Sequence, residues 1–536
     1  SGLASLAAAG ALLALALLSA GPATADVAND GIEFLVNGYT TGNQSLPRIA
    51  SRGAEGFVIV WDDYRQITTR DDVFARLMNV RGDRVGAEFE VNTFTLGEQL
   101  ESRVAAADTG EFVVIWSDGF LGDGSGYGVM GELYDSDGLP VGANFQVNSY
   151  TTGDQYHPDV AVDSSTGNFA VVWADYGRDG SGPGVFGRLF DSLGTAVGSE
   201  FQANIWTTGS QTTPRVAFDG SGGFVVSWLD NAGEDGSGQG VFARRIDDTG
   251  APAGGEFQVN ASTLGDQVLE GMAPLAGGGF VVTWHDASGL DGEGDGVFGR
   301  VFDSSGGAIG GQFQVNAYTS GDQNLSAVTA EPNGGFVVVW TGLYQRLDDF
   351  GIFGRQFDSA GAPRSAEFLV NSYTTGIQRA PTVAADSQGD FIVAWMDASG
   401  LDDDGAGIFA RHFFGRAPAL TSHSEGDLVD CSDPVSFQPT FTWDDDGYTR
   451  FRFWIASDPR FLEGTRTSSG KNWLKTTSWQ PSKKKWKRMC YKALAISATN
   501  PTLYLRVQGK DPTLPKKDPA RRRFSSTVSV SVTAGP

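Results

Sequence analysis

The sequence predicts an all-β chain in which a seven-bladed β-propeller precedes a smaller β-sandwich. Two observations carry the propeller. A Phe-x-Val-Asn pattern, or a close variant, ends at Asn37, Asn92, Asn148, Asn204, Asn260, Asn316 and Asn371, a spacing of 55 or 56 residues throughout. A tryptophan follows at the same place in every unit, at Trp61, Trp116, Trp173, Trp228, Trp284, Trp340 and Trp395. A fixed period of this length holding several strand-like runs is the signature of propeller blades. The sandwich rests on a third observation: residues 420–536 contain no copy of the unit but keep alternating apolar and polar runs.

The third unit shows how one blade is encoded. His157–Val162 reads as a strand, and Asp163–Asn168 as a polar turn. Phe169–Trp173 is a continuous apolar run, suited to a strand covered on both faces by neighbouring sheets. The Gly-rich loop Asp179–Gly184 leads to a third strand over Val185–Phe190. Asp191–Gly194 turns the chain, and Glu200–Asn204 is the fourth strand. The first repeated element is a lone outer strand, Glu33–Asn37, and the last unit stops after three strands at Ile408–Phe413. The N-terminal strand is therefore expected to complete blade seven and close the ring, which leaves few free strand edges. An open stack of units would not need that permutation.

At its start the chain carries an Ala/Leu-rich run, Leu3–Leu18, followed by Ala23-x-Ala25. Residues 1–25 thus read as a secretory signal peptide cleaved before Asp26, with no transmembrane span in the mature chain. A secreted, extracellular or periplasmic, bacterial protein is the expectation. Export permits a disulfide, and Cys431 and Cys490 are the only cysteines. Two cysteines without a His/Cys cluster make a poor zinc site.

Charge divides the chain. Residues 417–536 hold 19 basic and 11 acidic side chains, whereas residues 1–416 hold 20 basic and 53 acidic. The propeller, expected over 31–416, should repel nucleic acid and attract cations. The C-terminal module, expected over 420–536, concentrates Lys483–Arg488, Lys516-Lys517 and Arg521–Arg523. These runs read as solvated loops, or as a patch that attaches to a polyanionic surface or to the acidic propeller.

Two repeated features share one propeller face. The first is an Asp/Gly loop. Asp286, Asp291, Glu293 and Asp295 in blade five, and Asp397, Asp402, Asp403 and Asp404 in blade seven, are the candidate Ca²⁺ ligands. The alternative is a tight turn in which Asp caps backbone amides and Gly supplies positive φ. The second is the crossing between blades, Asn-x-aromatic-Thr-Thr-Gly-x-Gln. Its aromatic position could bind sugars, Trp206 foremost, or could simply cover the core. Blades one and six depart from the loop pattern with Tyr64-Arg65 and Tyr344-x-Arg346, and such departures are ligand-binding candidates. The recurrent Arg76, Arg188, Arg244, Arg300, Arg355 and Arg411 are expected to be buried or stacked on rings. No nucleophile elbow, metalloprotease helix, phosphate loop or dinucleotide fingerprint occurs.

The unit Gly-x-Phe-Val-Val-x-Trp…Asp-Gly-Ser-Gly-x-Gly-Val-Phe-Gly-Arg-x-Phe-Asp…Phe-Gln-Val-Asn resembles repeats of secreted bacterial proteins, often large and calcium-binding or adhesin-like. Trp443, Phe453-x-Ile455 and Tyr504-x-Arg506-Val507 resemble a fibronectin type III or immunoglobulin-like module. Together these likenesses imply export and surface interaction and supply no catalytic residue. The expected function is non-catalytic binding or adhesion. The acidic face would recognise a glycan or protein, with Ca²⁺ as the candidate cofactor, and the basic module would tether. A glycan-acting hydrolase and a structural envelope-associated protein are the alternatives.

Overall fold

The structure is a computed structural model. It describes residues 33–64, 71–94, 97–119, 124–220, 222–343, 349–402 and 404–413, together with eight short strands between 428 and 533. The signal-peptide stretch, the domain boundary, Arg65, Tyr344, Arg346, Asp403, Cys431 and Cys490 lie outside the described residues.

Seven four-stranded antiparallel sheets follow one another, each ordered from an inner to an outer strand. In blade one these are Gln44–Ser51, Phe57–Asp63, Asp72–Met78 and Arg84–Glu90. The inner strand of each blade lies against that of the next. The inner strand of blade seven, Gln378–Ala385, lies against that of blade one. The ring is closed. Phe34 and Leu35 pair antiparallel with Ala410 and Phe409, so the N-terminal segment supplies the fourth strand of blade seven.

Burial explains why the second strands are apolar without alternation. Phe57–Asp63 and Phe391–Asp397 are buried at every position. Each of the seven tryptophans is at most 1% exposed. They fill the wedge between blades: Trp61 packs with Ile392, Ala394 and Ile408 of blade seven, across the closure. Burying one such side chain contributes on the order of 2–3 kcal/mol.

The outer strands are of two kinds. Blades one, three and five carry seven-residue strands (Arg84–Glu90, Ala196–Gln202, Ala308–Gln314). Blades two, four and six keep two residues each: Phe145–Gln146, Phe257–Gln258 and Phe368–Leu369. There Pro140, Pro252 and Pro363 retain only an isolated bridge to the third strand, because proline cannot donate to the ladder. The fourth strand of blade three also ends before Ala203-Asn204. Asn204 leaves the ladder because its side-chain Oδ1 accepts the Val185 N–H at 2.9 Å.

The recurrent arginines staple successive blades. Arg188, Arg300 and Arg355 donate through Nη1 to the carbonyls of Val147, Val259 and Val315 in the preceding blade, at 3.0–3.1 Å. Their guanidinium carbons sit 5.5–5.7 Å from the ring centres of Phe190, Phe302 and Phe357. These arginines are thus stacked on rings, as expected, but are only partly buried.

In the C-terminal region, strands Leu428–Asp430, Val528–Thr533, Thr502–Lys510, Arg450–Ala456 and Arg466–Ser468 form one sheet, with Arg522–Phe524 joined to Thr502–Lys510. Phe441–Thr442 pairs with Ser478–Trp479 separately. Among the described residues, no helix is long and apolar enough to cross a membrane.

Candidate functional site

One face of the ring gathers the crossings, the ends of the second strands and the starts of the inner strands. The pairing of Gln44 with Asp63 places these together in blade one. Each crossing is locked by its own amides. Asn37 donates to the Gln44 Oε1 at 3.0 Å and to the Tyr39 carbonyl at 2.9 Å. Asn204, Asn260 and Asn316 repeat both bonds. Asn and Gln are therefore scaffold. The aromatic position is different. Tyr39, Phe94, Trp206, Tyr318 and Tyr373 are all exposed, and Trp206 most of all at 53%. Its backbone is pinned by Asn204 and Glu256 while its indole reaches solvent.

The Asp/Gly loops mostly behave as turns. Asp179 and Asp235 accept the N–H of Ser181 and Ser237 two residues on. Gly180 and Gly236 sit at φ near 100°, where a side chain is strained. In blade five, Asp286 accepts from Ser288 at 2.9 Å and from Gln267 at 3.2 Å, and Asp291 accepts from Asn316 at 2.9 Å. Glu293 is exposed. The Asp295 carboxylate lies beside His285 and Asp322.

Blade seven is less saturated. Asp402 is 2% exposed, and among the described residues no side-chain donor bonds its carboxylate oxygens, while the Asp397 Oδ2 has no hydrogen-bond partner there. Burial raises both pKa values, and Asp397 adds to the rise at Asp402. Buried carboxylates that repel one another, with few donors between them, suit a hard cation that also draws on carbonyl oxygens. Among the described residues, no three His, Cys, Asp or Glu side chains converge as a metal centre. Asp397 and Asp402 are the pair that fits Ca²⁺ best, with Asp404 exposed beside them.

A second cluster spans blades one to three. Tyr64, at the end of blade one's second strand, is exposed and hydrogen-bonds Asp71. Burial pushes the Asp71 carboxyl up to about 6, with Asp62 and Glu98 adding repulsion. The Tyr64 phenol is pushed up to about 12, first by burial and then by Asp71. Next to them Tyr127 donates to Glu98 at 2.5 Å. Its ring lies 4.4 Å from that of Tyr156, which meets Tyr176 edge-on at 5.8 Å. Tyrosine faces thus run alongside carboxylates on one surface.

Below this surface the inner strands line the channel. Leu46, Glu101, His157, Thr213, Leu325 and Ala380 all adopt φ between 45° and 58°. Each lies two residues after the crossing Gln, where the ladder bulges. Positive φ in non-glycine residues is costly and must be held from outside. Acids of the preceding blade hold several of these bulges. Asp62 accepts Glu101 N–H at 2.9 Å, Glu101 accepts His157 N–H at 2.9 Å, and Glu270 accepts Ser326 N–H at 2.7 Å. Two carboxylate–imidazole pairs result, Glu101–His157 and Glu270–His285, each at 2.7 Å. Burial opposes charge on His285, but the Glu270 bond outweighs it and raises its pKa.

Sequence reasoning singled out Tyr64 but missed Asp71, Glu98, Tyr127 and the channel residues. A signal was present. The fourth residue after the crossing Gln varies freely as Arg48, Arg103, Asp159, Arg215, Gly271, Ala327 and Thr382, within a unit whose Trp, Asn and Gln recur in every blade.

The fold and this face define a closed seven-bladed β-propeller with a polar, aromatic-edged mouth. No family model matches the chain, and no curated protein matches it. Solved structures of similar shape include a protein of unknown function from Dyadobacter fermentans, at 9% identity, 72% of this chain, 98% of that chain and a TM-score of 0.44. An α-L-arabinofuranosidase from Fusarium graminearum matches at 12% identity, 59% and 92% coverage and a TM-score of 0.41. The β-propeller domain of the Trilobed protease from Pyrococcus furiosus matches at 8% identity, 70% and 95% coverage and a TM-score of 0.41. The propeller assignment here stands on the chain's own strand order and closure.

Proposed function

We propose that this chain is a secreted binding protein whose propeller face recognises a glycan, non-catalytically, with the basic C-terminal module tethering it to a polyanionic surface. One observation carries the reading: the surface run of Tyr64, Tyr127, Tyr156 and Tyr176 beside Asp71 and Glu98. Aromatic faces cover the apolar side of a sugar ring while carboxylates accept its hydroxyls. Ca²⁺ at Asp397 and Asp402 belongs to the same reading as a rigidifying ion of that face. The test is a glycan array followed by calorimetry on the full chain and on Tyr176→Ala. A hit whose affinity falls at least about tenfold in the variant supports the reading. The absence of any glycan hit turns it toward a protein ligand or a structural envelope role.

A glycan-acting hydrolase is the second reading, and Asp71 favours it. A carboxyl held near neutrality beside ionisable Asp62 and Glu98 is the arrangement an acid catalyst needs. Turnover of a glycoside panel that is lost in Asp71→Asn would establish it.

A further inference from the structure

We infer that the channel is an oxyanion site built from Arg48, Arg103 and Arg215, taking a small ligand that carries a carboxylate or phosphate group. This inference does not rest on the reading of the propeller face.

The three arginines occupy the same position of the inner strand, four residues after Gln44, Gln99 and Gln211, in blades one, two and four. The inner strands of blades one to four lie side by side around the axis, so the side chains are drawn to one segment of the channel. Their charges feel one another. Burial and then Arg103 and Arg215 hold the Arg48 pKa well below its usual value, and burial and then Arg103 bring Arg215 to about 10.

A guanidinium offers five N–H donors, and few of these are spent. Among the described residues, Arg48 donates to the Pro47 carbonyl at 2.8 Å. Arg215 donates to the Pro214 and Glu270 carbonyls at 2.9 and 3.0 Å. Arg103 donates to the Ser102 carbonyl at 3.0 Å, with a long contact to the Glu101 carbonyl, and faces Asp159 at 3.5 Å. None of the three residues is fully buried, although only 11% of the Arg103 side chain is exposed, so unspent donors remain within reach of the channel.

Asp62, Asp159, Glu101 and Glu270 offset part of this charge through space, but most of their oxygens are occupied by donors other than these guanidiniums. Asp62 accepts from Glu101 N–H, Ser102 N–H and the Ser102 hydroxyl. Glu101 is bound to His157, and Glu270 to His285 and Ser326. Asp159 gives Oδ2 to the Val216 N–H and leaves Oδ1 to Arg103. Three guanidiniums therefore converge with unspent, solvent-reachable donors, and their mutual repulsion is relieved by an anion that several of them can grip.

The test uses the full chain at constant ionic strength. Inorganic phosphate and glucuronate are titrated by calorimetry, with chloride as the control for screening. Binding of phosphate in the millimolar range that weakens at least about tenfold in Arg48→Gln/Arg215→Gln supports the site. Glucuronate competing with phosphate identifies a sugar acid as the class of ligand, and phosphate binding alone identifies a free or esterified phosphate. Should the double variant misfold, arginine modification by phenylglyoxal is mapped by peptide mass spectrometry on the unmutated protein. Phosphate should then protect Arg48, Arg103 and Arg215 and leave exposed arginines such as Arg81 reactive. Neither anion binding at about 50 mM, or binding without selective protection, overturns the inference.

Discussion

The Ile408 N–H donates to the side-chain Oδ1 of Asn37 at 2.8 Å, joining residues 371 positions apart in the chain. The same bond occurs within every other blade between residues 19 positions apart, as from Val73 to Asn92 and from Val241 to Asn260. At the closure it has a second role, because it holds a strand whose only partner is the third strand of blade seven.

Removing residues 1–37 should therefore cost more than the bonds it deletes. It leaves the Ile408 N–H without a partner and uncovers the edge of Gly407–Phe413. A buried unsatisfied donor alone costs about 1–3 kcal/mol, and an uncovered edge invites association. The expected outcome is a melting temperature lower by several degrees and concentration-dependent oligomers on size-exclusion chromatography. Asn37→Ala should reproduce the thermal loss without the oligomers, since Phe34 and Leu35 keep their ladder. A truncated chain that melts like the parent and stays monomeric would falsify the closure argument.

The Glu270–His285 pair sets a pH dependence whose sign is fixed. The folded His285 pKa is raised above its unfolded value of about 6.5. Its contribution is thus fully present below that value and is lost as pH rises through the folded pKa. Folded Glu270 is depressed despite burial, through His285 and the Ser326 donors, so its contribution is lost only as pH falls through the acid range. Unfolding midpoints in urea, measured from pH 6 to pH 9, should decline more steeply in the parent than in His285→Gln. Parallel curves would show that the imidazole carries no linked proton.

Asp402 gives the calcium prediction a direction. Its folded pKa is raised, chiefly by burial, so folding favours the protonated form and stability falls as pH rises through the folded value. Without a cation, Asp402→Asn should therefore stabilise the protein at neutral pH, or leave it unchanged. With millimolar Ca²⁺ the parent should gain several degrees in melting temperature, and the variant should gain none. A parent indifferent to Ca²⁺ and to chelator removes the metal from this face.

The propeller was legible because its signals are local and repeated. Trp173 and Asn148 mark strand ends by chemistry that a single unit shows, and the lone Glu33–Asn37 strand points to the closure it makes. The channel was not legible, because its residues meet across blades. Glu101 and His157 are 56 positions apart, the same place in consecutive units, but the period does not tell that the bulges bring their side chains to 2.7 Å. Periodicity likewise could not show that Asn204 would leave its ladder, since a side-chain acceptor replaces a backbone one at 2.9 Å. For the loop acids the difficulty was abundance. Asp291 and Asp402 open equivalent loops, but Asp291 accepts from the Asn316 side chain, while among the described residues no side chain donates to Asp402.

Tyr127 separates the two surfaces on which a glycan could lie. Its hydroxyl is spent on Glu98 and its ring packs at a tilt against Tyr156, so it is held in one orientation. Trp206, on the crossing into blade four, is exposed and has only its backbone fixed. A held ring costs less conformational entropy on binding than a free one. Tyr127→Ala should then weaken a glycan found on the array by about 1–2 kcal/mol, within the range for a stacked aromatic contact. Tyr127→Phe should cost less, because the ring contact survives and only the bond to Glu98 is lost. Trp206→Ala should change affinity by less than twofold if the ligand sits over blades one to three. Calorimetry on the three variants decides it: a loss confined to Trp206→Ala moves the binding surface to the rim crossings and leaves the Tyr64–Tyr176 run as scaffold.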